Sequence, residues 1–198
     1  MKTKTVELFE FDELPEAIKS KIVERERWIN TEDALWDDFL LDDWKEKLTE
    51  LGFDDPDISF TGFGSQGDGA SFTCKRVDVA LFLAKQKAKG RFKALLKAIK
   101  SGEAEVNVSV DSIDHHYSHE YTIKAYSEVY FSDDENDAVS QQADELADFV
   151  LDVARTLSRQ IYRELEKEYF YLTSDEAIIE TIKANEYTFT ESGRMEND

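Results

Sequence analysis

One apolar stripe constrains this chain more than anything else in it. Val139, Ala143, Leu146, Val150, Val153, Leu157, Ile161 and Leu165 recur at steps of three and four. That spacing keeps side chains on one face of an α-helix, and it predicts a helix over 138–171. The stripe widens with Phe149, Ala154 and Tyr162, which suits the spine of a core better than the narrow seam of a coiled coil. A homodimer seamed along this helix is the alternative.

The rest of the chain alternates between shorter strand and helix patterns. Residues 3–10 read as a strand, followed by a helix to about Trp28 behind Asp12 and Pro15. A second helix runs from Thr31 through residue 51 and stops at Gly52, a natural C-terminal break. Residues 57–63 and 70–75 read as two strands of a hairpin around GSQGDG. A helix from about Asp78, broken at Gly90, and another over 91–100 come next. Residues 104–110 and 117–131 alternate as a second hairpin. After the long helix, Thr173 or Ser174 caps a short one, and 187–190 adds an edge strand.

This order predicts an α+β fold. An antiparallel or mixed sheet, built of two hairpins and the N-terminal strand, is packed by helices. No repeat or linker marks a boundary, so residues 1–198 read as one domain, with 191–198 a frayed tail.

Charge excludes some functions and suggests others. The net charge is −20. Such a field repels nucleic-acid backbones and anionic membranes. No apolar run approaches signal or membrane-spanning length, and the single cysteine, Cys74, can form no internal disulfide. A cytoplasmic protein is expected. The charge is also uneven. Residues 32–57 and 128–152 each carry −9, 75–100 carry +8, and 153–163 carry +3 through Arg155, Arg159 and Arg163. The basic segment reads as a solvated helical face paired with acidic neighbours; binding of nucleic acid or a phosphorylated ligand is the alternative.

Two loops could carry chemistry. GSQGDG (residues 64–69) offers three glycines for close backbone approach, with Ser65, Gln66 and Asp68 beyond what a plain turn needs. It lacks the lysine and the following helix of a phosphate-binding P-loop. Residues 114–120 hold all three histidines. On a strand, His115 and His119 share a face with Tyr117, while His116, Ser118 and Glu120 share the other. Neither face offers three strong ligands, so no metal and no cofactor is assigned. No serine, cysteine or carboxylate pair stands in a recognisable catalytic setting.

The blocks VELFEFDELPEAIKSKI, FTGFGSQGDGASF and YRELEKEYFYLTSDEAIIETIKANEYTFTESGR stand in this order, spread across most of the chain's length. They resemble a family of small acidic phage and prophage proteins, some labelled antitoxin-like. The resemblance implies a mobile-element origin and brings no catalytic residues with it.

The leading expectation is therefore a non-enzymatic phage or mobile-element protein that presents carboxylates to a basic host partner and inhibits host nucleic-acid-handling or defence machinery, with DNA mimicry as one route. Its contact residues would be Asp33, Asp37, Asp38, Asp42, Asp43, Glu46, Asp133, Asp134 and Glu135. Direct nucleic-acid binding and membrane association are not expected. The alternative is a pocket for a nucleotide or other small molecule, binding or hydrolytic, in which Ser65, Gln66, Asp68, His116 and His119 converge and residues 75–100 supply positive charge.

Overall fold

A computed structural model describes residues 6–32, 35–114 and 116–196. The candidate residues Asp33 and His115 lie outside the described residues. In chain order the elements are β1 (Phe9–Glu10), α1 (Glu16–Arg25), α2 (Asp38–Glu50), β2 (Phe53–Asp54), β3 (Asp57–Thr61), β4 (Gly69–Thr73), β5 (Arg76–Val77), α3 (Val79–Lys85), α4 (Lys93–Ser101), β6 (Ala104–Ser112), β7 (Ile123–Phe131), α5 (Asp137–Leu172), α6 (Asp175–Ala184), β8 (Thr188–Phe189) and β9 (Met195–Glu196). The fold is α+β, with small antiparallel sheets and one long helix.

The chain divides into two compact units, one of residues 1–38 and 166–198, the other of 39–165. The first joins both ends of the sequence, so no linker could have announced it. Its three-stranded sheet has the order β1-β8-β9, all antiparallel. The N-terminal strand thus pairs with the C-terminal one and not with the hairpins, and the tail expected to fray supplies β9. Phe11, Leu14, Ile22, Val23, Ile178, Ile182 and Phe189 form the core here. Arg27 ties the α1 end to the start of α6 by donating to the Thr173 carbonyl at 3.1 Å and by pairing with Asp175.

In the larger unit, the hairpins β3–β4 and β6–β7 are joined where Cys74 and Val110 exchange two backbone hydrogen bonds of 2.9 Å. Both bonds leave Cys74 in apolar surroundings, and burial pushes its thiol up to about 11, an inert group. Gly52 ends α2 at φ +101°, and its carbonyl accepts from Asp78 N–H at 2.7 Å. A Cβ there would sit 3.0 Å from the backbone nitrogen of Phe82, so this corner requires glycine for space and for its dihedral.

The face of α5 buried in the core is Val139, Ala143, Leu146, Ala147, Val150, Ala154, Ser158, Ile161 and Leu165. Its stripe is consumed within the chain itself. Val153 and Leu157, read from the sequence as core, lie at the margin, and Ser158 takes a fully buried place instead. On the opposite stripe Asp144, Asp148 and Asp152 give way to Arg159 and Arg163. In the first turn, Asp137 alone stands where a negative charge complements the helix dipole.

Candidate functional site

The second hairpin starts later than its alternation suggested. Residues 113–114 and 116–122 are irregular, and β7 begins only at Ile123. Local side chains explain this. Asp114 Oδ1 accepts from the backbone N–H of His116 at 2.7 Å and of Tyr117 at 3.3 Å. Thr122 Oγ1 accepts from His119 N–H at 3.0 Å and donates to the His119 carbonyl at 2.8 Å. Such bonds compete with strand pairing, so the facing expected of His116 and His119 from a strand does not hold.

The loop folds onto the Gly-rich turn. Thr61 Oγ1 donates to the carbonyls of Gly67 and Ser118, at 3.5 and 3.4 Å. Asp68 Oδ2 accepts from Ser65 N–H at 2.6 Å, which closes the turn on itself. Gly69 lies against the loop so closely that a Cβ would stand 2.8 Å from His119 Cδ2 and 3.0 Å from the Ser118 carbonyl oxygen. The glycine here is a matter of approach, since its side of β4 is where the loop packs.

The third wall is α5. Tyr162 stacks on Phe63 at 5.6 Å, and Phe63 on Phe60 at 5.7 Å; the Tyr162 hydroxyl donates to the Gly62 carbonyl at 3.4 Å. Arg159 Nε meets Glu120 Oε2 at 2.8 Å, with the glutamate side chain 11% exposed and the arginine 51%. Arg155 lies over the Tyr121 ring at 5.4 Å. Tyr121 in turn stacks on His119 at 5.2 Å, and its N–H donates to His119 Nδ1 at 3.2 Å. A neutral His119 with Nδ1 accepting carries its proton on Nε2, which makes that nitrogen a donor and not a base.

These walls enclose a cavity of about 230 Å³ lined by Asp68, Gly69, His119, Glu120, Ser158, Arg159 and Tyr162, together with Ala70 and Tyr121. Ser158 is fully buried, and its Oγ has no hydrogen-bond partner among the described residues. An orphaned buried hydroxyl carries a desolvation cost of about 1–3 kcal/mol. Most such groups in folded proteins are satisfied, and Arg155 Nε, three residues earlier on α5, is unsatisfied as well among the described residues.

Of the expected pocket residues, Asp68 and His119 do converge. His116 lines a neighbouring cavity of about 490 Å³ with Asp57, Ser59, Thr61 and Ser71. Ser65 and Gln66 line neither cavity. The positive charge comes from Arg159 and not from residues 75–100. Glu120, Ser158, Arg159 and Tyr162 escaped the sequence reading. Their one signal was the run of three arginines in an otherwise acidic helix. Among the described residues, no three His, Cys, Asp or Glu side chains are grouped to hold a metal ion, and no helix is long and apolar enough to cross a membrane.

The expected acidic contacts Asp38, Asp42, Asp43, Glu46, Asp133, Asp134 and Glu135 are exposed. Partial burial pushes the Asp37 carboxyl above the usual range; a backbone hydrogen bond opposes this and the Asp38 charge adds to it. At Trp44 the first −9 run meets α5 well away from the acids of the second. Helix α2 docks at Glu164, which accepts from Trp44 Nε1 at 2.9 Å. Asp152, the last acid of the other run, is roughly 18 Å earlier at 1.5 Å per residue, and Arg155, Arg159 and Arg163 fall between.

Fold and geometry together define an α+β protein whose small antiparallel hairpins close a polar cavity against a long helix. The chain belongs to the family described as Domain of unknown function (DUF8835), whose profile matches residues 36–175. No curated protein and no solved structure matches it.

Proposed function

We propose that the chain is a binding module for a small polar molecule bearing both a cationic and an anionic group, held in the cavity between the Gly-rich turn, the 113–122 loop and α5. The observation that carries this reading is the gathering of Asp68, Glu120 and Arg159 around one cavity, with the unsatisfied Ser158 hydroxyl buried in its wall. Asp68 suits an ammonium group and Arg159 a carboxylate. The Tyr121 and Tyr162 rings supply apolar walls. A volume of about 230 Å³ admits a molecule of amino-acid size. Ser158 has no hydrogen bond to a base, and His119 presents a donor, so the arrangement favours binding over nucleophilic catalysis.

The test is a thermal-shift screen of the free amino acids and their small amine and guanidine relatives, followed by calorimetry. A true ligand at about one hundred times its Kd stabilises the protein by about 2.7 kcal/mol. Ser158→Ala is expected to make the free protein about 1 kcal/mol more stable by removing the orphaned hydroxyl, while weakening the ligand. Gly69→Ala should abolish binding by driving a methyl group into His119. No stabilisation by any compound at millimolar levels, or a Ser158→Ala protein less stable than wild type, would sink the proposal.

A second reading rests on α2. Phe39, 88% exposed, begins a stripe continued by Asp43, Glu46 and Glu50, all exposed and none in an ion pair among the described residues. These positions share one helix face, opposite the buried Trp44 and Leu48. A basic, nucleic-acid-handling host protein is the partner this stripe suits, in keeping with the resemblance to prophage proteins. Wild-type chain should then displace duplex DNA from a purified basic DNA-packaging protein, and Asp43→Lys with Glu46→Lys should lose that effect. Equal displacement by the variant would remove α2 from the account.

A further inference from the structure

The basic segment was expected to pair with acidic neighbours, and the structure shows otherwise. Lys75, Arg76, Lys85, Lys87, Lys89, Arg91, Lys93, Lys97 and Lys100 are all exposed. Among the described residues, Arg91 is the one drawn into an ion pair, with Glu145 at 3.8 Å. The remaining eight cations of a strongly acidic protein stand without a carboxylate partner there. On α4, Lys93, Lys97 and Lys100 fall on one stripe, opposite the buried Leu95 and Ala98. Lys85, Lys87 and Lys89 sit at the end of α3 and in the loop that leads to α4.

We infer that this face of α3, the following loop and α4 docks the phosphate backbone of duplex DNA. Three observations select that occupant. First, neighbouring lysines on the stripe are about 5–6 Å apart at Cβ, and duplex DNA presents one charge per about 1.7 Å of its axis, so several can be neutralised together. Second, no large apolar side chain between residues 75 and 100 is exposed. Folded protein partners are gripped by buried aromatic and apolar anchors, and interfacial helices insert an apolar face into lipid; this surface offers neither. Third, single-stranded nucleic acid is held largely by stacking on aromatic side chains, and Phe82 and Phe92, the aromatics of residues 75–100, are fully buried. What remains is recognition by charge alone, of a polymer whose bases are already stacked inside.

Local geometry says where the contact is centred. Ser132 donates to the Gly102 carbonyl, which brings the acidic run beginning at Asp133 beside the C-terminal end of α4. Lys89 and Lys93 lie at the opposite end of α4, and the contact is centred on them and Lys97 although Arg91 there pairs with Glu145. The net charge of −20 acts over a longer range but is screened at a Debye length of about 8 Å in physiological salt.

The experiment is fluorescence anisotropy of a labelled random-sequence duplex of about 20 base pairs, titrated with the full chain across a salt series. Binding is expected at about 50 mM salt, with a loss of about two to three orders of magnitude by about 200 mM if roughly five phosphates are neutralised. Lys89→Glu, Lys93→Glu and Lys97→Glu combined should abolish it while circular dichroism shows the fold intact, since all three side chains are exposed. Asp133→Asn, Asp134→Asn and Glu135→Gln combined should tighten it. The inference is overturned by absence of binding at low salt, by an unchanged affinity in the lysine variant, by tighter binding of a single strand of equal length, or by capture on phosphatidylserine vesicles in preference to the duplex.

Discussion

Phe53→Ala is expected to destabilise the larger unit by about 3–5 kcal/mol, the usual cost of emptying a buried phenylalanine site. Phe53 is fully buried and meets Phe72 at 5.0 Å and Phe82 at 5.7 Å, both edge to face. The chain of rings continues from Phe82 to Phe149 on α5 at 5.6 Å. One side chain therefore joins strand β2, the Gly-rich hairpin, α3 and the long helix. Its loss leaves a hole that rigid elements on four sides cannot collapse. Urea unfolding followed by circular dichroism should show a lower midpoint with little change in slope. A loss below about 1 kcal/mol would mean that these elements do not share one core.

The second large effect is expected at Arg159. Removing one partner of a buried ion pair leaves a stranded charge and typically costs about 3–5 kcal/mol. Glu120 is nearly buried, but Arg159 is half exposed and partly screened, so about 1–3 kcal/mol is expected for Arg159→Met. The informative comparison is the double variant. Adding Glu120→Gln removes the stranded charge and should restore most of the lost stability, giving a coupling energy above about 1 kcal/mol in a double-mutant cycle. Additive losses would mean that the two side chains act independently and that Glu120 is hydrated. The same cycle bears on the proposed cavity, because this pair fixes one of its walls.

The fold was legible wherever local periodicity and burial agree. The α5 stripe, the Gly52 stop, the Ser174 cap and the β3–β4 hairpin around GSQGDG all stand close to where spacing and turn chemistry put them. Ser174 accepts from Ala177 N–H at 3.3 Å, an ordinary N-cap. Alternation misled at 117–122. There the side chains of Asp114 and Thr122 satisfy the backbone locally, and no partner strand is required. Periodicity also missed Ser158. A serine in a helix reads as exposed, and only the position of the neighbouring hairpin buries it.

The candidate site was half visible for a similar reason. Asp68 and His119 stood out as unusual residues in unusual loops. Glu120, Arg159 and Tyr162 are common residue types on an acidic helix and its neighbour, and they matter only because the hairpins meet α5 there.

By itself, the sequence determined the element types, the long amphipathic helix, the uneven charge and the glycine-dependent turn, because each follows from side-chain spacing or a residue's own dihedral freedom. Tertiary structure alone decided that β1 pairs with β8 in one sheet, that the lysines of 75–100 have no carboxylate partner among the described residues, and that Asp68, Glu120 and Arg159 line one cavity. Those outcomes depend on contacts between residues tens of positions apart, and local pattern carries no information about such distances.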